Sequence, residues 1–265
     1  MQMTLLTLTT DFGTQDSYVA ELKGVLLSEG PSSLRLVDLS HELAPFDIHA
    51  AALFLRAALP RFPAGSIHLA VVDPGVGSER RALIVERPDM LLVGPDNALF
   101  SYLFDGTESV YAIDRSLLGG RAVSPTFHGR DVFAPVAARL AAGAPAASLG
   151  ERVDRYERMV FPMVDMQGDV LHGRVVHIDR YGNLITNIPE GTLRSFLGAD
   201  DAAFALLVGD HTVHTLRSHY AQVEPGELVV LVGSSGLIEV AAREASAAQK
   251  LAIEVGRPLR VVRRT

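Results

Sequence analysis

The segment LAVVDPGVGSERR, residues 69–81, places a carboxylate and a guanidinium on one short, glycine-rich loop. Its apolar start, Leu69–Val72, predicts a buried parallel strand, and Asp73 follows at the carboxyl end of that strand. Ligands of open α/β sheets bind at this end of the strands. We therefore expect Asp73 and Arg80 to face one pocket, although an aspartate that merely starts a turn would give the same pattern.

Other polar residues stand at similar places in the chain. Asp11 follows the first apolar run, and a carboxylate there can accept both hydroxyls of a ribose. His128 lies just before an apolar helical segment, and histidine is the side chain most easily poised for proton transfer near neutral pH. The structural alternatives are that Asp11 starts a turn, and that Asp131 caps the helix beside an exposed His128.

Two later segments could also contribute to a site. His177–Asn187 contains Gly182–Asn183, a pair typical of a two-residue type I′ hairpin turn, so structure alone could explain it. Gly233–Glu239 is a loop of small residues that would let backbone groups approach a ligand, and such loops also occur wherever strands turn. The sequence contains neither the GxGxxG nor the GxxxxGK[ST] nucleotide fingerprint.

The elements that must position these residues alternate in the first part of the chain. The predicted helices are Ser17–Ser28, a segment from Ala44 through Leu59, Ala98–Phe104 and Phe133–Ala142. The predicted strands are Met3–Thr9, Leu34–Leu39, Ser66–Val72, the hairpin Ala82–Val85 with Met90–Val93, and Val110–Ile113. This alternation predicts the α/β class, with a mainly parallel sheet sandwiched by helices.

The pattern changes after an irregular stretch. We predict an N-terminal α/β domain over residues 1–150, a linker over 151–168, and a smaller all-β, barrel-like domain over 169–265. The strands predicted in that last part are Val170–Ile178, Ala203–Val208, His211–Leu216, Leu228–Val232, Leu237–Ala241, Leu251–Ile253 and Leu259–Val262.

Composition narrows the function classes. The chain has 265 residues and a net charge of -7, which argues against a nucleic-acid-binding protein. The absence of cysteine excludes disulfides, thiolate metal sites and a cysteine nucleophile. No signal peptide is recognised, and the apolar runs are shorter than the roughly 18–20 residues of a membrane span. A cytoplasmic protein is the default expectation.

Taken together, several motifs resemble one family, in the same order and over nearly the whole chain. They are TDFG (10–13), VDPGVGSERR (72–81), GPDN (94–97), FHGRD (127–131), DRYGNLITNI (179–188) and GSSGLIEVA (233–241). They resemble the S-adenosylmethionine (SAM) hydroxide adenosyltransferases, also called adenosine-forming SAM hydrolases, which are relatives of the fluorinating and chlorinating enzymes.

The resemblance implies a fold, an assembly and roles for single residues. It implies an N-terminal α/β domain, a C-terminal β-barrel-like domain, and a homotrimer with SAM bound between neighbouring subunits. The water-activating set of the family falls on Asp73, Arg80 and His128, and its ribose-binding aspartate on Asp11. Substrate-binding positions further fall on Phe46, Phe127, Asn183, Tyr220, Ser234 and Glu239.

These residue types suit the implied reaction. Methionine leaves the C5′ carbon of SAM as a neutral thioether, so the leaving group needs no general acid, whereas water must be activated. A carboxylate and an imidazole can hold and deprotonate water while a guanidinium stabilises the developing hydroxide. The expected products are adenosine and methionine, with SAM as substrate, no cofactor and no metal.

Other functions remain open at this stage. Halogenating relatives have an uncharged residue where Asp73 stands and a tryptophan where Ile185 stands, and the fluorinating branch has an insertion that Glu86–Pro95 leaves no room for. We therefore favour hydrolysis over a chlorinase-like activity. In a different class, Asp11, Asp73 and His128 could ligate a divalent metal for phosphoester hydrolysis. A SAM-binding module with slow or no turnover would carry the same residues.

Overall fold

The computed structural model describes residues 4–120, 122–198, 204–214 and 216–263. The chain divides into two compact units, Met1–Met159 and Val160–Thr265. Met3 and Ala203, where two predicted strands begin, lie outside the described residues, as does Thr215 within a third.

The first unit contains a sheet flanked by helices. Its strands are β1 (Thr4–Thr10), β2 (Leu34–Ser40), β3 (Ser66–Val71), β4 (Ala82–Glu86), β5 (Met90–Pro95), β6 (Ser109–Ile113) and β7 (Gly150–Arg152). Its α-helices are α1 (Tyr18–Glu29), α2 (Ile48–Ala58) and α3 (Ala134–Ala141). Short 3₁₀ helices cover Leu59–Arg61, Ser101–Leu103, Arg115–Leu118 and Ala146–Ser148, and a π-helical turn covers Gly129–Phe133.

Among the described residues the order of this sheet is β2-β1-β3-β5-β4-β6-β7. From β2 to β5, neighbouring strands in the sheet are parallel, and from β5 to β7 they are antiparallel. The change of direction comes at the predicted hairpin of β4 and β5. Side chains alternate between the faces of β3: Leu69 joins the core cluster that contains residues of α1 and α3, whereas Ala70 joins the cluster that contains residues of α2. The predicted α/β class is confirmed.

The helix predicted over Ala98–Phe104 is mostly absent. The backbone of Ala98 has φ 72°, a left-handed conformation that a helix cannot contain, and only Ser101–Leu103 form a single 3₁₀ turn. Helix α2 is capped at its start by Asp47, whose side chain accepts a hydrogen bond from the backbone N–H of Ala50 at 2.8 Å.

The second unit is built around a curled sheet. Its strands are β8 (Asp165–Gln167), β9 (Val170–Ile178), β10 (Leu184–Pro189), β11 (Phe204–Val208), β12 (His211–Val213), β13 (Leu216–Arg217), β14 (Leu228–Val232), β15 (Leu237–Ala242) and β16 (Pro258–Arg263). Among the described residues the order is β12-β11-β16-β9-β10-β15-β14-β13, with β8 paired to β9. β12 also contacts β14, which gives the sheet its barrel-like curvature.

Two helices accompany this sheet, α4 (Glu190–Leu197) and α5 (Ala247–Leu251), with a 3₁₀ turn at Tyr220–Gln222. The strand predicted at Leu251–Ile253 is wrong: Leu251 ends α5, whose start is capped by the Ser246 side chain through the backbone N–H of Gln249. Leu251 and Ile253 are buried in the core, so their apolar character reflects packing rather than a strand. Within the described residues, no helix is long and apolar enough to cross a membrane.

Candidate active site

Asp73, Arg80 and His128 form one connected group in the first unit. The Arg80 guanidinium donates from Nε to Asp73 Oδ1 at 2.8 Å and from Nη2 to Asp73 Oδ2, an arrangement that uses both carboxylate oxygens. Nη2 also donates to His128 Nδ1 at 3.1 Å, and Nη1 donates to the backbone oxygen of Arg81 at 3.1 Å. The Asp73 and Arg80 side chains are only 4% and 9% exposed, so these bonds are largely shielded from water.

The contact with Arg80 determines the protonation of His128. A guanidinium can only donate, so Nδ1 accepts and the hydrogen of the neutral imidazole is assigned to Nε2. Burial, together with the positive charges of Arg115 and Arg80, lowers the pKa of His128, while Asp73 and Asp131 oppose that shift. At neutral pH His128 is therefore an uncharged imidazole.

The position of His128 excludes the structural alternative considered from sequence. His128 is 2% exposed and directly precedes the π-helical turn, a feature often found at functional sites. The Asp131 carboxylate accepts from Arg130 Nε at 2.7 Å and from the backbone N–H of Ser124 at 2.9 Å. These bonds fix the preceding loop, and no side-chain cap is seen at this helix start.

A cavity of about 260 Å³ adjoins this group. Five residues predicted from sequence line it: Asp11, Phe46, Asp73, Phe127 and His128. Arg80 is not among the lining residues and instead bridges Asp73 and His128. Asp11 Oδ2 accepts a hydrogen bond from the backbone N–H of Phe46 at 2.9 Å, which ties together two of the lining residues.

Aromatic rings supply much of the cavity wall. The rings of Phe12 and Tyr18 meet Phe127 edge to face at 5.7 and 5.3 Å, and neither residue is among the site residues predicted from the sequence. The Arg130 guanidinium lies 4.9 Å from the Phe127 ring and is held by Asp131 and Glu21. Phe46 differs, because it is 70% exposed and has φ 66°.

Other predicted site residues belong to the second unit. The Asp179 carboxylate accepts from the backbone N–H of Asn183 at 2.9 Å and from its side-chain Nδ2 at 2.9 Å. The loop between β9 and β10 therefore spans residues 179–183 and is held by Asp179, so the two-residue type I′ turn is wrong: Gly182 has φ 84°, but Asn183 does not share its positive φ. Asp179 is a positioning residue that the sequence pattern did not single out.

Asn183 and Tyr220 line a cavity of about 680 Å³ in the second unit. The Tyr220 hydroxyl donates a hydrogen bond to Glu239 Oε1 at 2.6 Å. Glu239 therefore contacts a residue that lines the cavity but does not line it itself. Burial raises the pKa of Glu239, and burial beside that carboxyl raises the pKa of Tyr220. Ser234 is exposed on the β14–β15 loop and does not line this cavity.

The donor chemistry of these groups bears on the metal alternative. The described residues contain no group of three or more His, Asp or Glu side chains that could hold a metal ion. The Arg80 guanidinium contacts both oxygens of Asp73 and the Nδ1 atom of His128, so its positive charge would repel a metal cation bound there. The arrangement suits activation of a water molecule better than ligation of a cation.

Comparison with known proteins identifies relatives across the whole chain. Residues 6–150 match the family model of the SAM hydroxide adenosyltransferase N-terminal domain, and residues 173–260 match that of the C-terminal domain. Two proteins named (R)-S-adenosyl-L-methionine hydrolase, from Salinispora tropica and Thermus thermophilus, are each 38% identical; the matches cover 97% and 96% of this chain and 97% of each relative. A fluorinase from Actinoplanes is more distant, at 27% identity over 93% of each chain.

A solved structure supports the fold. The crystal structure of an uncharacterized conserved protein from Thermotoga maritima superposes with a TM-score of 0.90 at 32% identity, covering 97% of this chain and all of that one.

Proposed function

This chain belongs to the SAM hydroxide adenosyltransferase family, and we propose that it hydrolyses S-adenosyl-L-methionine to adenosine and L-methionine. The observation that carries the proposal is the Asp73–Arg80–His128 group beside the cavity that Asp11 and Phe127 also line. It combines a buried carboxylate, a fixed cation and a neutral imidazole, which are the groups that a water nucleophile needs.

In the proposed step, a water oxygen attacks C5′ of the ribose and forms the new C–O bond. The C5′–sulfur bond breaks, and its electron pair leaves with methionine as a neutral thioether. The proton that water gives up is accepted by the Asp73 carboxylate, while Nε2–H of His128 is available to orient the water by donating to it. Arg80 does not line the cavity; it keeps Asp73 in one orientation, and its positive charge beside the site favours the hydroxide character that the attacking oxygen acquires.

Asp73 also bears on the choice of nucleophile. A carboxylate at the cavity repels a halide, so the site favours water over chloride or fluoride. The relatives agree with this, because the proteins named as hydrolases are more similar to this chain than the proteins named as fluorinases.

Substrate binding would involve the other predicted residues. Asp11 can accept ribose hydroxyls with the lone pairs that its bond to the Phe46 N–H leaves available. Phe46 and Phe127 offer apolar surface to the nucleoside. In the second unit Asn183 and Tyr220 line the larger cavity, and the Glu239 carboxyl orders Tyr220 by accepting from its hydroxyl. Ser234, exposed on the β14–β15 loop, is proposed as a further hydrogen-bonding group only from the resemblance to the family.

The direct test is incubation of the purified protein with SAM in high chloride, followed by chromatography. We expect adenosine and methionine in equal amounts, with no dependence on added metal and no loss on treatment with EDTA. Accumulation of 5′-chloro-5′-deoxyadenosine would identify a halogenase instead. Loss of activity on chelation, restored by Mg²⁺ or Mn²⁺, would support a metallohydrolase, and SAM binding without products would indicate a binding module.

We further propose a homotrimer in which each site combines the first unit of one subunit with the second unit of its neighbour. Asp73→Ala, inactive alone, and Asn183→Ala, impaired at SAM concentrations below KM, should then regain activity at low SAM when they are refolded together. Ser234→Arg serves as the partner if Asn183→Ala retains too much turnover. Mixed oligomers of verified composition that recover nothing would place both sets of residues in one chain. The cytoplasmic location stays a prediction.

A further inference from the structure

We propose that Asp96 and Asn97 are positioning residues that hold the two ends of the active-site loop, residues 72–81, over the end of strand β5. The proposal rests on the hydrolytic function proposed above and assigns a role to the GPDN motif, which the reaction itself does not use. Neither residue lines the cavity. Their action on the reaction would pass entirely through the loop that carries Asp73 and Arg80.

The order of the strands makes such a contact possible. The active-site loop leaves β3 and enters β4, yet β5 lies between those strands in the sheet, parallel to β3 and antiparallel to β4. The loop must therefore cross the carboxyl end of β5. GPDN, residues 94–97, forms that end and the turn after it, directly below the crossing.

Asn97 holds the end of the loop that contains Asp73. Its side-chain Nδ2 donates to the backbone oxygen of Val72 at 2.9 Å. That oxygen belongs to the peptide group whose nitrogen is the backbone nitrogen of Asp73, and a peptide group is planar. The hydrogen bond from Asn97 therefore fixes the direction in which the chain enters Asp73.

Asp96 holds the other end. Its Oδ2 atom accepts from Arg81 Nε at 2.9 Å, its Oδ1 atom accepts from the backbone N–H of Glu157 at 2.8 Å, and its side chain is 4% exposed. The backbone N–H of Asp96 donates to the Arg81 oxygen at 3.0 Å. Arg80 Nη1 donates to that same oxygen, so one carbonyl connects Asp96 to the guanidinium that holds Asp73.

The motif itself is well fixed. A side chain at Gly94 would collide with the backbone oxygen of Ala70 on β3 and with the Phe100 ring, so only glycine lets β5 end this close to β3. Asn97 Oδ1 accepts from the backbone N–H of Leu99 at 3.2 Å, which closes the following turn. The side chains that hold the loop are therefore attached to a rigid strand end.

The test compares Asn97→Asp with Glu108→Gln. Asn97→Asp keeps the acceptor for the Leu99 N–H and replaces the donor to Val72 by a carboxylate oxygen, which repels the Val72 carbonyl and so breaks the contact with the loop. Glu108 is a matched control, since its side chain is 2% exposed and accepts from Tyr156 and Arg158 in the segment that Asp96 also holds through Glu157. Glu108 has no hydrogen bond to the active-site loop among those seen in the described residues.

We expect Asn97→Asp to lower kcat for adenosine formation by about 10- to 100-fold, because small displacements of reacting groups cost this much, and to leave KM within about threefold. Asp96→Asn should act in the same direction. Hydrogen exchange of the loop amides, such as Val76 and Ser78, which bond within the loop, should become faster in both variants. Glu108→Gln should change neither kcat nor loop exchange, even if its melting temperature falls equally.

Three outcomes decide the matter. A kcat of Asn97→Asp within twofold of wild type, or an equal fall in Glu108→Gln, would overturn the proposal. If Asn97→Asp does not fold, Asn97→Ala takes its place with the same expected loss. If the wild-type protein forms no adenosine while the exchange difference persists, the proposed function fails and the role of Asp96 and Asn97 in holding the loop stands.

Discussion

The two cavities differ in how firmly their polar groups are held. In the first unit, about 260 Å³ of space adjoins side chains that are nearly inaccessible and are joined through one arginine. In the second, about 680 Å³ is bordered by Tyr181 and Tyr220, which are 78% and 43% exposed. Bond breaking needs groups fixed to within a fraction of an ångström, whereas binding tolerates surfaces that adjust. On the proposed function, we therefore expect the chemical step at the first cavity and substrate recognition at the second.

The strongest challenge to this assignment is removal of the Asp73 carboxylate. Asp73→Ala should lower kcat by about 10²- to 10⁴-fold, since it removes the proton acceptor, and should change KM much less. Steady-state kinetics with SAM, followed by adenosine release, measures both. Asp154→Asn, which alters an exposed aspartate of the same unit, is the control and should keep wild-type kcat. A variant of Asp73 that turns over normally would remove the chemistry from the first cavity.

In the second cavity, Tyr220→Phe should affect stability more than turnover. The substitution removes the donor to buried Glu239 and should cost about 1–3 kcal/mol of unfolding free energy at pH 8. Burial already raises the pKa of Glu239 above its unfolded value, so stability from this group is present at low pH and is lost as pH rises. Loss of the tyrosine donor raises that pKa further, so the difference from wild type should be smaller at pH 5.

Urea unfolding at both pH values measures this effect. Tyr181→Phe is the matched control, because it removes a hydroxyl from a ring that is mostly exposed, and its stability should equal that of wild type. An equal loss at pH 5 and pH 8 would mean that the ionisation of Glu239 does not contribute.

A smaller effect is expected on substrate affinity. Asn183→Ala removes hydrogen bonds worth about 0.5–1.5 kcal/mol each, so KM for SAM should rise about 2- to 10-fold while kcat at saturation stays within about threefold. A fall in kcat with unchanged KM would instead assign the second cavity a part in the chemical step and end the division of labour between the units.

The smallest predicted effect concerns the acid limb of the pH profile. Arg115 is an exposed cation that lowers the pKa of His128, so Arg115→Gln should raise that pKa. On acidification, His128 would then become protonated at a higher pH than in the wild type. The pH at which kcat falls should therefore rise, by less than about one pH unit. High salt should weaken the difference. Arg35→Gln, at another exposed arginine, should leave the profile unchanged.

The sequence predicted that Asp73 and Arg80 lie together, because both residues follow recognisable elements. Asp73 comes after an uninterrupted apolar strand, and the loop to Arg80 is short, so their proximity follows from chain length. The link to His128 came only from the resemblance to a family, since no local pattern connects residues 48 positions apart. Tyr18 was not predicted as a wall residue, because its spacing on α1 gave it only a helical assignment.

Other features depended on contacts that the sequence does not display. Ala98 is a good helix former, yet its backbone is left-handed, so no helix can begin there as the sequence predicted. The segment Leu251–Ile253 was predicted as a strand because buried residues at the end of a short helix have the same apolar character as those of a strand. Asp96 and Asn97 stood in a quoted motif, but their role depends on the order of strands in the sheet, which a one-dimensional pattern does not reveal.

Strand β16 imposes an order on how the chain can be made. It pairs with β9 on one side and β11 on the other, although it follows both by many residues. During synthesis, all described strands of the first unit have left the ribosome once residue 152 has emerged. One edge of β9 and one edge of β11 stay unpaired until residues 258–263 have been synthesised. The nascent second unit therefore exposes open strand edges for most of its synthesis. Strand β16 therefore closes the free edges of β9 and β11 together once it has been synthesised.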